Sequence, residues 1–364
     1  MFFLSSAIWY NAIWSHNHEV ANLLSKKWKV YWLDPMKVKW YPHFEKINNN
    51  VNLQNVEVLN QCLFYPKLSI WYIIKAEWES LKNFWKLRKK VDYFVNYGPL
   101  WNFLAFLLAK ILRKKVISFY VDDYIALSKN KLLKIWLKFI LPIWFKLSDK
   151  VFVTAKVLEK QVKKYKKDNV YYFPNWVNLN KLEKYKPEKV DKLKSIWFVW
   201  ALWNWVDWKI MIKLAQRFKD IKFEIVGDWE IFDYLKIEKE KNNLENLILY
   251  WFKPHKEALE IIRKTNITII PFKVNDITDA VSPVKLFEYW SLWKTSIVSN
   301  TLELQQFDKE LFIYKNEEEL IDLIKDLIKN TDKVYEKAIL SNNRLSDFDW
   351  WWKLWNDILK IILS

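Results

Sequence analysis

The sequence predicts an α/β chain built from two doubly wound, Rossmann-like units facing a cleft, and three observations lead there. Strand-like runs alternate with helical ones from end to end, the pattern of parallel sheets covered by helices on both faces. The alternation breaks once, at a charged, proline-containing stretch over 181–194, and then restarts. The 364 residues suffice for two separate cores at about 150 residues per domain. This reading places an N-terminal unit at 1–180, a linker at 181–194 and a C-terminal unit at 195–345. A closing helix over 346–364 is expected to pack back on the N-terminal unit.

In the first unit, short apolar and β-branched runs predict strands at 2–6, 29–33, 93–97, 116–120, 151–154 and 170–173, with helices at 70–90 and 131–147 between them. The second unit repeats the alternation, with strands at 195–199, 222–226, 247–250, 267–270 and 296–299. Helices at 210–218, 256–264 and 284–291 interleave with these strands, and further helices at 317–329 and about 350–363 close the chain. Two such units joined by a linker bind ligands at the C-terminal ends of their strands.

The composition conflicts with this fold at one point. The chain has 25 Trp and 2 Gly, where a soluble protein of this length carries about 7% Gly, roughly 25 residues. Turns, helix ends and phosphate loops need positive φ, and Gly supplies most of it because it has no Cβ. The expectation is therefore that many Trp letters stand for glycine, one codon having been read under the wrong code. Restoring Gly turns 174–178 into PNGVN, 196–203 into IGFVGALG, 226–229 into VGDG, 250–254 into YGFKP and 288–294 into EYGSLGK. Each restored Gly falls at a strand end, a turn or a helix end, whereas randomly placed Trp residues would favour buried faces. Trp14, Trp205, Trp208 and Trp350 are kept as Trp, and Trp71, Trp78, Trp85, Trp136 and Trp144 are left open.

Charge is distributed unevenly. Residues 1–180 hold 29 Lys and Arg against 12 Asp and Glu, and the remainder holds 30 of each, so the whole net charge of +17 lies in the first half. That asymmetry points to an anionic partner for the N-terminal unit. The stretches LWNFLAFLLAKILRKK (100–115) and NKLLKIWLKFILPIWFK (130–146) join apolar faces to Lys and Arg, as interfacial helices do. No zinc-finger, RNA-recognition or Arg-rich motif accompanies the charge, so the reading is an anionic membrane surface, not nucleic acid. The single Cys62 forms no internal disulfide, and no Cys cluster suggests zinc. The opening MFFLSSAIWYNAIW lacks a basic n-region and a cleavage pattern, and the longest apolar run, 103–109, is far shorter than the roughly 20 residues of a membrane span. These features imply a cytoplasmic protein held peripherally on the inner face of the membrane.

The ordered segments SSAIWYNAIWSHNHEVANLL, VISFYVDDY, DKVFVTAKVLEKQ, YYFPNWVN, IWFVWALWNWVDWK and IIPFKVNDITDAVSPVKLFEYWSLWKTSIVSN resemble the GT-B glycosyltransferases of family 4. The likeness is strongest to bacterial members that build surface polysaccharides of the teichuronic-acid type, and it covers almost the whole chain. It implies a transfer, with retention, from a nucleotide diphosphate sugar held by the C-terminal unit to a lipid-linked or cell-surface glycan held by the N-terminal one. It implies no cofactor. No DxD-type pair stands where it would hold a metal, so metal independence is expected.

Particular residues carry this expectation. The loop with Trp200 and Trp203, read as glycines after a strand and before a helix, offers close backbone approach to a diphosphate. Lys285 adds a cation at the start of another helix, and Glu288, three residues on, shares its face. By the resemblance, Glu288 accepts from the donor's ribose hydroxyls, and Lys253 sits where family members hold the base or phosphate. Where many members carry a second Glu this chain has Ala280, so contact with the sugar passes to neighbours such as Asp276, Thr278, Asp279 or Ser282. On the acceptor side, His16 and His18 follow the first strand. Asp122 and Asp123 follow another, where a carboxylate orients or deprotonates a hydroxyl, or simply caps the next helix. His16 stands where relatives often carry Arg. The competing readings are a membrane-associated nucleotide-sugar-binding protein without catalysis and a nucleotide-sugar epimerase of the same fold.

Overall fold

The computed structural model describes residues 2–4, 16–33, 55–59, 70–99, 102–175, 188–199, 205–226, 230–251, 253, 255–345 and 360–362. The chain divides into two compact units, Met1–Pro174 with Lys360–Ser364, and Asn175–Leu359.

The first unit is a seven-stranded sheet of β1 (Phe2–Leu4), β2 (Val30–Leu33), β3 (Val56–Leu59), β4 (Tyr93–Asn96), β5 (Lys115–Tyr120), β6 (Lys150–Val153) and β7 (Val170–Tyr172). Its order is β3-β2-β1-β4-β5-β6-β7, and every pairing is parallel. Its described residues form six helices: α1 (His16–Ser25), α2 (Ile70–Leu87), α3 (Phe103–Ile111), α4 (Tyr124–Leu127), α5 (Lys131–Leu147) and α6 (Lys156–Lys163). The central strands read as continuous apolar runs because both sheet faces are covered. Val95, Ile117, Phe119, Val151, Phe152 and Val153 are all buried. Tyr97 stacks on Phe119 at 4.6 Å and Phe119 on Phe152 at 4.9 Å, forming an aromatic column across three strands. Residues 360–362 also pack in this unit, where buried Lys150 donates from Nζ to the Ile361 carbonyl.

The second unit is a six-stranded parallel sheet of β8 (Ser195–Val199), β9 (Lys222–Val226), β10 (Leu247–Tyr250), β11 (Ile267–Ile270), β12 (Ser296–Ser299) and β13 (Phe312–Tyr314). Its order is β10-β9-β8-β11-β12-β13, all parallel. The helices are α7 (Trp208–Arg217), α8 (Glu230–Lys241), α9 (His255–Lys264), α10 (Asp276–Asp279), α11 (Val284–Ser291), α12 (Glu317–Lys329) and α13 (Asp332–Arg344). In both sheets the strand order reverses beside the first strand, the crevice position of open α/β folds.

Beyond the sequence-based strand and helix assignments lie β3, β13 and the helices α1, α4, α6, α8, α10 and α13, and three of them show why. Edge strand β3 is short and only half-buried, so its VEVL run has little of the apolar continuity that marks a central strand. Strand β13 is three residues long and is held by pairing to β12. Helix α13 is polar on most of its surface and buries only Val334, Ala338 and Ser341. Most of the expected closing helix, including 346–359, lies outside the described residues.

Helix ends show how the chain manages with so little glycine. Helix α3 makes no side-chain cap of its own. The Glu77 carboxylate, reaching over from α2, accepts instead from the Phe103 and Leu104 N–H groups at 2.8 and 2.9 Å. Burial raises the pKa of this carboxyl, and the two backbone donors pull it back. At the other ends, α3, α8 and α11 all finish in the same double-bonded reversal. Lys114 donates to Ala109 and Arg113 to Lys110; Leu244 donates to Lys239 and Asn243 to Glu240; Lys294 donates to Tyr289 and Trp293 to Trp290. The pivot residue takes positive φ in each, at 55° for Arg113, 49° for Asn243 and 57° for Trp293. Glycine is the usual occupant of that position and Asn the common substitute. An indole there carries the steric penalty of a left-handed L-residue, about 1–2 kcal/mol.

Two outcomes follow from these helix ends. In urea unfolding of the chain as written, Trp293→Gly raises stability by about 1 kcal/mol, the Cβ strain being relieved; a loss of stability shows instead that the indole has a packing role. Glu77→Ala lowers stability by about 1–2 kcal/mol by leaving two helix N-terminal donors without their acceptor, and Glu77→Gln recovers part of it.

Candidate functional site

In the second unit the segments that follow β8 and β11 are stitched to each other at the point of strand-order reversal. Val206 and Phe272 form an isolated antiparallel bridge. Asp207 donates its N–H to the Pro271 carbonyl at 2.7 Å, and Lys273 donates to Trp205 at 2.8 Å. The Asp207 carboxylate caps α7 through the Ile210 N–H. A concavity of about 470 Å³ opens here, lined by Asp207, Trp208, Lys209, Ile231, Tyr234 and Lys273. The sequence reading did not single out Asp207, Tyr234 or Lys273. Asp207 and Lys273 lie in loops, where side chains follow no period, and Tyr234 lies in α8, a helix outside the sequence-based assignments.

Beyond Lys273 the chain forms a tight polar turn. Asn275 caps α10 by accepting from Ile277 and Thr278, and its own N–H donates back to the Thr278 hydroxyl at 3.1 Å. The Thr278 hydroxyl also donates to the Lys273 carbonyl at 2.6 Å, and the residue is fully buried. Thr278 therefore positions the turn, its hydroxyl bonded within it. Asp279 accepts from the Leu302 N–H at 2.8 Å. Ser282 is buried, and its carbonyl and hydroxyl receive the Asn175 side-chain amide and backbone N–H. The asparagine of the PNWVN segment is thereby fixed to the SPVKLFEY segment, a pairing across 107 residues.

Helix α11 then presents Lys285 and Glu288, whose charges meet at 2.8 Å with side chains 25% and 11% exposed. Water screens so shielded a pair poorly, and its Coulomb attraction is correspondingly stronger than on an open surface. Lys253 makes a looser contact with Glu257 at 3.5 Å. Ala280 is buried at the end of α10, so no carboxylate stands there. The expected glycine-type loop with Trp200 and Trp203 lies outside the described residues, as do Trp176 and Trp229.

Other Trp positions are described. Trp197, at the middle of β8 and not at a strand end as expected, and Trp290, in the last turn of α11, are completely buried, with indole N–H groups that meet no acceptor among the described residues. An unmatched buried donor costs about 1–3 kcal/mol. Trp144 shares this condition. Trp208, expected to be a true aromatic, packs edge-on against Phe198 at 5.2 Å.

In the first unit, Asp122 and Asp123 leave the C-terminal end of β5 and behave differently. Asp123 is the N-cap of α4, accepting from Ile125 and Ala126, and its second oxygen receives Gln161 Nε2 at 2.7 Å. Its acceptor capacity is spent locally. Asp122 makes no hydrogen bond among the described residues. Asp122 is exposed, and partial desolvation by the neighbouring chain, with the Asp123 charge second, pushes its pKa up to about 6. Gly98, at the end of β4, closes the same corner. It takes φ 127° and leaves only 3.0 Å between a would-be Cβ and the Tyr124 ring, whose hydroxyl donates to the Tyr97 carbonyl. His16 opens α1; its side chain lies outside the description. His18 is buried, stacked on Trp32 at 5.1 Å, and forms part of the core instead of the site. No group of three or more His, Cys, Asp or Glu side chains gathers into a metal-binding set among the described residues.

Two sheets of this strand order, with their polar segments at the strand ends, define the fold of the GT-B glycosyltransferases. Solved structures agree. Anabaena HepE (Alr3699) in complex with UDP and glucose aligns with a TM-score of 0.72 over 100% of this chain and 99% of its own, at 12% identity. Trehalose-6-phosphate synthase OtsA aligns at 0.70 over 100% and 98%, at 9% identity. The lipopolysaccharide outer core galactosyltransferase WaaB, in its apo form, aligns at 0.66 over 100% and 98%, at 11% identity. No protein-family model matches the chain, and no curated protein matches it by sequence.

The Asp122 carboxyl gives a pH signature. Raised above its ordinary 3.8, it contributes stability that is fully present below about 3.8, in the protonated form, and is lost as pH rises through about 6. Thermal unfolding between pH 4 and pH 7 therefore shows a stability decrement that Asp122→Asn removes. A profile unchanged by that substitution shows that Asp122 titrates normally.

Proposed function

We propose that this chain is a glycosyltransferase that moves a sugar from a nucleotide diphosphate sugar to a lipid-linked or cell-surface glycan, with retention at the anomeric carbon. The donor belongs to the second unit and the acceptor to the first. The observation that carries the reading is the shielded Lys285–Glu288 pair on the first turns of α11, immediately after the buried Ser282. A carboxylate there suits ribose hydroxyls, and an adjacent cation suits a diphosphate leaving group whose charge grows in the transition state. Among the structural neighbours, HepE has been solved with UDP-glucose, which makes a uridine diphosphate sugar the first donor to screen. Lys253 and Ser282 are assigned to the donor as well, with Lys253 at the base or phosphate.

On the acceptor side, Asp122 is assigned to the incoming hydroxyl, since its carboxylate is uncommitted and its pKa of about 6 suits proton acceptance near neutrality. His16 remains with it as a second acceptor-side group. The basic first half suits an anionic membrane, and the enzyme is placed on the cytoplasmic face as a peripheral protein. No helix among the described residues is long and apolar enough to cross a bilayer.

The same reading includes the glycine assignment. We infer that Trp176, Trp197, Trp200, Trp203, Trp229, Trp251, Trp290 and Trp293 are glycine in the protein as its own host makes it. The left-handed Trp293 and the orphaned indoles of Trp197 and Trp290 support this. Peptide mass mapping of the native protein tests it directly, and Trp masses at these positions sink it.

The function is tested by release of nucleoside diphosphate from a panel of nucleotide sugars, with and without glycan acceptors. Glu288→Gln raises the donor KM about tenfold or more, as loss of a charge-assisted hydrogen bond of about 1.5–3 kcal/mol requires. Asp122→Asn lowers kcat with little change in donor KM. No release from any donor points to a binding protein, and a converted sugar nucleotide without acceptor points to an epimerase.

A further inference from the structure

Helix α5 carries two apolar faces where one would serve. Leu137, Leu141, Trp144 and Phe145 are buried in the first unit. On the opposite side Leu132, Ile135, Phe139 and Ile143 are 77%, 54%, 71% and 44% exposed. Their spacing of three, four and four residues aligns them in one outward stripe. These four side chains are the exposed stripe of α5. None of the stripe residues is Trp, so the stripe is the same whichever way the Trp positions are decoded.

The charges beside the stripe select its occupant. From Tyr124 to Ser148 there are five Lys and no Asp or Glu. Lys131 and Lys138 flank the exposed stripe and Lys146 lies within it. A second copy of the chain seated on this face across a two-fold axis would set lysine against lysine. A bilayer with anionic headgroups satisfies both components, taking the apolar side chains among its acyl chains and the ammonium groups among its phosphates.

We propose that the outward stripe of α5, with its lysines, is the surface by which this chain docks on an anionic lipid bilayer, the helix lying along the interface. This rests on the reading of the basic first half as the membrane-facing part of a glycosyltransferase, and it names the helix that does the docking.

The experiment is co-sedimentation of the full-length chain with phosphatidylcholine vesicles, with and without phosphatidylglycerol. The wild-type chain binds the phosphatidylglycerol vesicles and is released by salt. Each apolar side chain withdrawn from the interface weakens binding about tenfold, so the double variant Ile135→Ser with Phe139→Ser loses about a hundredfold. Lys131→Glu with Lys138→Glu removes the preference for phosphatidylglycerol. Thermal unfolding and nucleoside diphosphate release from the donor, followed in parallel, stay at wild-type values, because these side chains are exposed and lie in the other unit from the donor residues. Vesicle binding that survives the serine variants overturns the role of α5 while leaving the basic first half as the membrane partner. Absence of wild-type binding to any vesicle overturns both. If the serine variants convert a dimer to a monomer in sedimentation velocity and leave vesicle binding intact, the face serves self-association and the proposal falls. Failure of donor turnover with vesicle binding intact separates the enzymatic reading from the docking one.

Discussion

A parallel sheet cannot turn back on itself in two residues, so each strand here returns through a helix, and each helix has to be stopped before the next strand begins. That constraint governs the molecule. It places all the strand C-termini of a sheet along one edge, where the polar turns gather, and it demands a residue able to adopt left-handed backbone wherever a helix ends in a reversal. Three helices end in the same double-bonded turn, with Arg113, Asn243 and Trp293 as pivots. Asn243 tolerates the position at a modest cost, whereas Arg113 carries the same Cβ penalty as Trp293. The third is the bulkiest side chain available, and its presence where glycine ordinarily sits links the composition to the geometry.

The same constraint explains how the candidate site in the second unit is held. Backbone groups that leave the ends of β8 and β11 find partners in each other and in short side chains. Asp207 and Asn275 cap helices, and Thr278 closes a reciprocal cap. With the turns satisfied in this way, Lys285 and Glu288 project from the start of α11 as a shielded pair. The proposed donor contacts are assigned to that pair. The buried Thr278 and the committed Asp123 show that a polar residue near a strand end is as often spent on the turn as offered to a ligand.

Most strands were legible in the sequence because central parallel strands are buried on both faces and read as unbroken apolar runs, as in VISFY of β5 or ITII of β11. Edge elements were not. Strand β3 is half-exposed, and β13 owes its existence to its pairing with β12. In the site, Lys285 and Glu288 were legible because helical spacing sets two side chains on one face. His18 was misleading, since its place after the first strand suggested a ligand contact while the structure stacks it on Trp32 in the core. Asp207 and Lys273 were silent because loop side chains carry no period, and Tyr234 because its helix α8 was not assigned from the sequence.

The sequence by itself determined the fold class, the one-sided charge, the glycine deficit and the spacing of the Lys285–Glu288 pair, all of which follow from local pattern and composition. Only the tertiary structure decided the rest, because each remaining property depends on what a residue meets across the chain. It separated Asp122 from Asp123, adjacent and identical in type, by spending one on a helix cap and leaving the other without a hydrogen bond among the described residues. It turned the Glu77 carboxylate into the cap of a helix 26 residues away. It also divided the apolar residues of α5 into a buried stripe and an exposed one, a distinction invisible to periodicity because both stripes repeat at the same helical spacing.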